Sequence, residues 1–311
     1  MHAASLSLPT CPPAQARAPR WQGCAPHAQL YLPPPSLQGG LQALVCRDTR
    51  GLGLSDAQRL SHFPATPMVC LSWTQQGRNG MVVQTADGRS LWQEYESPVM
   101  LSGSQTRPTV GWMPDAGYGG MACFSPDAAQ QLFGLDLQAT QDCFVPAAQA
   151  LGPAWQPLCE ALLAAQDGRT LMAVLEQHLA PRWREVRSCD AEAPPSLAAS
   201  GRHWLMRLGL KARAWRAQLG PRQVERRIKL FSGRSVREWQ AIVRTEALFE
   251  EGVRRQQQGL TLDYADLALQ GGFSDQAHMS RAVHRITGFS PAEFARRYEQ
   301  DESFWPYRLW I

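Results

Sequence analysis

No run of about 18 consecutive apolar residues occurs in the 311-residue chain, so no membrane-spanning helix is expected. Close cysteine pairs are missing as well. The eight cysteines, at positions 11, 24, 46, 70, 123, 143, 159 and 189, form no Cys-x-x-Cys and no tight grouping with histidine, which argues against a zinc site and a disulfide framework. There is no Gly-x-Ser-x-Gly elbow, no glycine-rich phosphate loop and no His-Glu-x-x-His, so hydrolase, nucleotide and metalloprotease chemistry leave no local signature. His2, His27 and His62 are too scattered for a metal cluster and read as surface or packing histidines. The expectation is therefore no enzyme, no metal and no cofactor. Met1-His2-Ala3-Ala4-Ser5 lacks a basic region followed by an apolar core, so a secretory signal is not expected and the predicted location is cytoplasmic.

What is present is an uneven charge. The net charge of +4 conceals 18 Lys and Arg against 10 Asp and Glu between residues 201 and 300, while the remainder of the chain carries 13 against 17. A basic half is the electrostatic footprint of a nucleic-acid binder, because neutralising phosphates releases condensed counterions.

The basic half also contains the densest local signals, at 271–297. Met279, Val283 and Ile286 recur at helical spacing, so one stripe of a helix is buried while Gln276, Ala277, Ser280, Arg281 and His284 point elsewhere. Ser274 or Asp275 can cap that helix, and Thr287-Gly288 can end it in the left-handed conformation that glycine adopts without steric cost. Ser290-Pro291 with Glu293 then opens another helix as in a capping box. Ahead lies a short Ala/Leu-rich helix at 264–270 and a Gly271-Gly272 turn. Helix, tight turn and exposed polar helix make a helix-turn-helix.

The unit occurs twice. At an offset of 55 residues Arg226 falls on Arg281, Ile228 on Val283, Phe231 on Ile286, Gly233 on Gly288 and Ser235 on Ser290, so both copies carry Gly-x-Ser-x-x-Glu-aromatic after an apolar-striped helix. Between them, 236–257 has a helical apolar period from Trp239 to Phe249. Some twenty helical residues span roughly 30 Å, close to the ~34 Å between successive major-groove faces of B-DNA.

These residues resemble the AraC/XylS-type transcriptional regulators, whose DNA-binding domain is two helix-turn-helix units joined by a long helix. The resemblance is carried by Ala265-Asp266-Leu267-Ala268, Gly272-Phe273-Ser274-Asp275-Gln276, His278, Ser280-Arg281 and Gly288-Phe289-Ser290-Pro291, and in the first unit by 221–227, Gly233 and Ser235. It covers about the last hundred residues. The first unit departs from the pattern: Gln218 stands at the usual turn glycine, Gly220 at the usual capping serine and Val236 at a common proline.

The fold class predicted is α+β: a β-rich N-terminal domain followed by helices, then an all-α domain with the two units. The boundaries are a disordered or loosely ordered arm at 1–30, a sensor or regulatory domain at 31–185, a Pro- and Ala-rich linker at 186–200, the DNA-binding domain at 201–300 and an aromatic tail at 301–311. Strands are expected at 41–46, 68–73, 81–84, 98–102, 109–113 and 119–124, with hairpin connections at 77–80 and 87–88. Helices are expected at 126–133 after a Ser125 cap, 145–151, 154–165, 170–179, 203–208, 211–217 and 222–231. Segments 63–67, 101–108 and 124–135 resemble an uncharacterised sensor-like domain attached to some AraC-type regulators. Trp73, Trp92 and Trp112 suit either a ligand pocket or core, and Arg107 either an anionic effector or a structural carboxylate.

In a helix-turn-helix, residues near the start of the second helix meet base edges. That makes Arg222, Glu225 and Arg226 in the first unit and Gln276, His278, Ser280 and Arg281 in the second the candidates for base contact, with Arg227, Lys229 and Arg285 on phosphates. The function expected is a sequence-specific regulator of transcription reading two adjacent major-groove segments under an N-terminal effector or dimerisation domain. The alternative is a small-molecule-binding or enzymatic N-terminal domain with an autoregulatory DNA-binding module. Double-stranded DNA is the expected partner, with RNA polymerase, an unknown small-molecule effector and a second copy of the chain as further ones, and no membrane.

Overall fold

Strands in the first half pair in two antiparallel sheets. They are β1 (Ala28–Tyr31), β2 (Leu41–Asp48), β3 (Leu60–Phe63), β4 (Val69–Thr74), β5 (Gly80–Gln84), β6 (Ser90–Glu94), β7 (Val99–Ser102), β8 (Thr109–Trp112), β9 (Tyr118–Phe124) and, after helix α1 (Pro126–Phe133), β10 (Phe144–Pro146). The computed structural model describes residues 10–23, 27–187, 199–259 and 263–310. One sheet runs β1-β2-β9-β4-β7-β10 and the other β3-β8-β5-β6. Helices α2 (Ala147–Leu151), α3 (Gln156–Ala164) and α4 (Gly168–Val186) follow.

Period-two alternation decides what each face of the larger sheet meets. Val69 and Leu71 of β4, with Ala122 and Phe124 of β9, join Leu132, Leu158, Leu162, Leu171, Leu175 and Trp183 in one core under α1, α3 and α4. Each such fully buried side chain stabilises the fold by about 1.5–3 kcal/mol. The intervening residues, Cys70 and Ser72 on β4 and Met121 and Cys123 on β9, turn the other way, into a cavity facing the second sheet. Cys70 and Cys123 are register partners with their sulfurs 3.6 Å apart, and the described cysteines are free thiols.

The expected strands form, with ends displaced by a residue or two, but β1, β3, β6 and β10 are additional. These are short, and β10 occupies the start of the segment expected to be helical, because Phe144–Pro146 pairs with β7 and the helix begins only at Ala147. The Asp87-Gly88 turn does join β5 to β6, with Gly88 at φ +80°. The 77–80 turn is not a hairpin: it carries the chain from β4 in one sheet to β5 in the other. Ser125 precedes α1 as expected, but its hydroxyl makes no capping bond. Helix α4 runs past the expected end, through Pro181, because Trp183 extends its buried stripe and its indole N–H donates to the Gln38 carbonyl at 2.9 Å.

The second half is helical: α5 (Ser200–Arg216), α6 (Pro221–Ser232), α7 (Val236–Gln257), α8 (Tyr264–Gln270), α9 (Gln276–Thr287), α10 (Pro291–Gln300) and α11 (Trp305–Trp310). Two helices expected at 203–208 and 211–217 are one. Trp204, Leu208 and Ala212 make an unbroken stripe at i, i+4 and i+8, and Gly209 inside a helix costs only about 1 kcal/mol against that burial.

Residues 10–23, expected to be loose, are seated. Ala14 and Ala18 are buried, the Arg20 N–H donates to the Gln300 carbonyl at 3.0 Å, and Arg297 donates to the carbonyls of Gln15 and Ala16. Buried His62 of β3 clasps this arm to the C-terminal tail: Nε2 donates to the Ala14 carbonyl at 2.8 Å and Nδ1 lies 2.9 Å from the Ser303 hydroxyl. The expected linker falls largely on residues 188–198, outside the described residues.

Candidate nucleic-acid interface and interdomain cavity

The second unit is α8, the Gly271-Gly272 turn and α9. Gly272 sits at φ +70°, and the Phe273 N–H closes the turn on the Ala268 carbonyl at 2.9 Å. Asp275, not Ser274, caps α9 by accepting from the His278 N–H. Met279, Ala282, Val283 and Ile286 are buried, which leaves Gln276, His278, Arg281 and Arg285 exposed and Ser280 half-buried. His278 is braced from both sides, Nδ1 at 3.2 Å from the Ser274 hydroxyl and its ring edge-on to Phe273.

In the first unit α6 starts from Gly220 with only half a capping box, the Gly220 N–H donating to Gln223 Oε1 at 3.1 Å. Val224 and Ile228 are buried, and Arg222, Glu225, Arg226, Arg227 and Lys229 are all exposed. Arg222, Glu225, Arg226 and Lys229 follow at i, i+3, i+4 and i+7 and share one face. Arg227 diverges from them, since its guanidinium lies over the Trp215 ring at 5.0 Å. Helix α7, 22 residues and so about 33 Å long, joins the units and opens with the full Ser235/Glu238 capping box.

Both units are tied to the β-rich half near the ends of their recognition helices. Arg234, just past α6, donates to the Gln105 carbonyl, and its guanidinium stacks on Trp239. The Ile286 carbonyl near the end of α9 accepts from the Ala65 N–H at 2.8 Å. Arg207 of α5 forms an ion pair with buried Asp127 at the start of α1.

Behind these contacts lies a cavity of about 250 Å³, walled by both sheets and by the helical half. Met68, Met81, Met113 and Met121 line it with Tyr95 and Phe144; Ile286, Glu246, Phe249 and Glu250 face it from α9 and α7, and Trp305, Tyr307 and Trp310 from α11. Gln105, which exchanges backbone bonds with Thr66 in the lining, belongs to the cavity wall and to the interdomain contact at once. All three tryptophans pack in core: Trp73 shares the face of Val69 and Leu71 in the main core, Trp92 and Trp112 pack edge to face in a separate cluster, and Arg107 is exposed, away from the cavity. The sequence suggested a ligand pocket only through these tryptophans, which are core. The cavity's own signal was the small or polar alternate positions, Cys70, Ser72 and Cys123, on strands whose other face is wholly apolar.

The sequence between residues 213 and 297 matches a family model described as a helix-turn-helix domain. No curated protein matches the chain. Among solved structures, an apo form of ToxT from Vibrio cholerae is 11% identical, covering 85% of this chain and 98% of that one with a TM-score of 0.39. ToxT from the same organism with an unsaturated fatty acid bound is 10% identical, covering 76% and 93%, with a TM-score of 0.33. Likenesses of this degree carry nothing about what the present chain binds. Among the described residues no helix is long and apolar enough to cross a membrane. With two helix-turn-helix units on a joining helix, residues 213–297 of this chain are a helix-turn-helix domain of the matched family.

Proposed function

We propose that α6 and α9 read two adjacent major-groove segments of one duplex and that a small molecule in the interdomain cavity controls how they are presented. The observation that carries the reading is the shared wall: Gln105 and Ile286 line the cavity and also make the contacts that hold the two units to the β-rich half. A ligand that displaces either residue has a direct mechanical route to the ends of both recognition helices. In this division 31–185 senses and 201–300 reads; RNA polymerase or a second copy of the chain would act on the assembled complex.

Arg222, Arg226 and Arg281 are candidates for bidentate contact with guanine, Gln276 for adenine, and Glu225 for cytosine N4 or for orienting a neighbouring arginine. His278, fixed by Ser274 and Phe273, and half-buried Ser280 are the less extended readers. Lys229, Arg285 and Arg227 are assigned to phosphates, Arg227 with its guanidinium already braced on Trp215.

The test is selection of bound duplexes from a random pool, followed by affinity measurements on the selected site. Arg281→Ala or Arg226→Ala is expected to cost about 1–3 kcal/mol and relax one base position. Lys229→Ala should weaken all sequences alike and lower the salt slope by about 1. Selection of no sequence preference would defeat the proposal.

A further inference from the structure

The carboxylates in the cavity come from α7. Glu246 and Glu250 lie one turn apart with Phe249 on the same helix face, and all three line the space. Among the described residues, no hydrogen bond or ion pair reaches Glu246, and the backbone of Gly201 packs so closely on its carboxylate that a methyl group there would collide with it. Glu250 has one cation, the exposed Arg202, at 3.8 Å.

The opposite charge in the lining is engaged through its terminal nitrogens. Arg47 donates to the Ser61 hydroxyl at 3.2 Å and the Gln58 carbonyl at 2.9 Å, faces Glu302 at 3.8 Å, and is covered by the Trp305 ring. Two wall residues keep a buried polar atom with no partner among the described residues, the Arg47 Nε–H and the Tyr307 hydroxyl. Both side chains are at least nine-tenths buried, and a buried polar group without a partner in the wall suits a hydrogen bond from a guest.

We propose that the cavity takes an organic cation, an ammonium head held by Glu246 and Glu250 on an apolar body seated among the methionines and aromatic rings, within reach of the unpartnered Tyr307 hydroxyl. The assignment rests on the effector role given to the cavity above. An ammonium suits such walls because aromatic faces attract cations, and attract them more strongly where water is excluded. Burial, followed by repulsion from Glu250, lifts the Glu246 carboxyl to about 7. A cation beside it restores the ionised form.

The experiment titrates the full chain with 4-phenylbutylamine, 4-phenylbutanol and 4-phenylbutyrate, three probes with one body and three head groups, following tryptophan fluorescence and thermal shift. The amine should bind ~10-fold or more tightly than the alcohol, as for a charge-assisted hydrogen bond, and the carboxylate more weakly than either. Glu246→Gln should remove that advantage and leave the alcohol's affinity within ~3-fold; Glu250→Gln, checked like the first for native circular dichroism, provides a second variant if Glu246→Gln does not fold. Equal binding of amine and alcohol, tighter binding of the carboxylate, or an amine preference that survives both variants would overturn the cation assignment while leaving the cavity as a ligand site. Binding of none of the three would remove the effector part of the proposed function as well.

Discussion

The first helix-turn-helix closes on large aromatic rings: Trp204 stacks on Phe231 and meets Trp239 edge-on, and Trp215 packs against Phe231 from the other side. The second closes on Leu267, Ala268, Met279, Ala282 and Val283, with Phe273 its principal ring. Their turns differ in the opposite sense. The second has its glycine pair and an acidic cap, whereas the first passes from α5 to α6 without a left-handed glycine, the Leu219 N–H bonding to the Trp215 carbonyl at 2.9 Å. Each aromatic ring buries some 150–250 Å², so packing holds the first unit where local turn chemistry holds the second. The lesson is that one reader geometry is reachable by two routes, and that Gln218 and Gly220 are tolerable because the aromatic cluster makes a strong turn signal unnecessary.

This contrast predicts an ordered set of effects. Trp239 is fully buried, donates to the Ser232 hydroxyl at 3.0 Å and sits between Trp204 and Arg234. Trp239→Ala should destabilise the helical half by about 3–5 kcal/mol in chemical denaturation, and Met279→Ala in the second unit by about 2–4 kcal/mol. A larger loss at Met279 would reverse the ranking of the two cores.

Next comes pH. The second unit is held by the tail, whose Phe304 meets Phe289 and Phe294, and the tail is clasped to the arm by His62. Burial depresses the His62 pKa to about 4 from its usual 6.5, with Arg297 acting in the same direction. The folded pKa is below the unfolded one, so the stability it confers is present above pH 6.5 and is lost as pH falls from 6.5 to 4, by up to about 3 kcal/mol. Hydrogen exchange should show the arm and tail opening in that window before the first unit does. Simultaneous opening would mean that the clasp does not distinguish the copies.

The smallest effects have opposite signs. Gly272→Ala forces an L side chain to φ +70° and should cost about 1 kcal/mol. Gly209 lies inside α5 with open space where a methyl would go, so Gly209→Ala should stabilise by about 0.5–1 kcal/mol. Thermal denaturation reads both. A loss at Gly209 would show that α5 needs its glycine for a break that its continuous stripe does not predict.

Much of the helical half was legible in the sequence because its information is local. Caps, glycines and the 3.6-residue period marked α7 and α8 to the residue and α9 through Thr287-Gly288. The fused α5 was not, because a glycine between two periodic segments looks like a boundary until the stripe across it is seen to be continuous. In the β-rich half the strongly apolar strands were visible, whereas β3 and β10 depend on pairing with distant segments. The cavity was illegible for the same reason. Glu246, Tyr307 and Met121 come from α7, α11 and β9 and become neighbours only when arm, tail and sheets are assembled.

The central claim is that two unlike copies act as one reader. Hydroxyl-radical footprinting of the full chain on a selected duplex tests it most directly. The account predicts two protected stretches on one face, about one helical turn apart, one weakened by Arg226→Ala and the other by Arg281→Ala. A single protected stretch, insensitive to changes in α6, would contradict it.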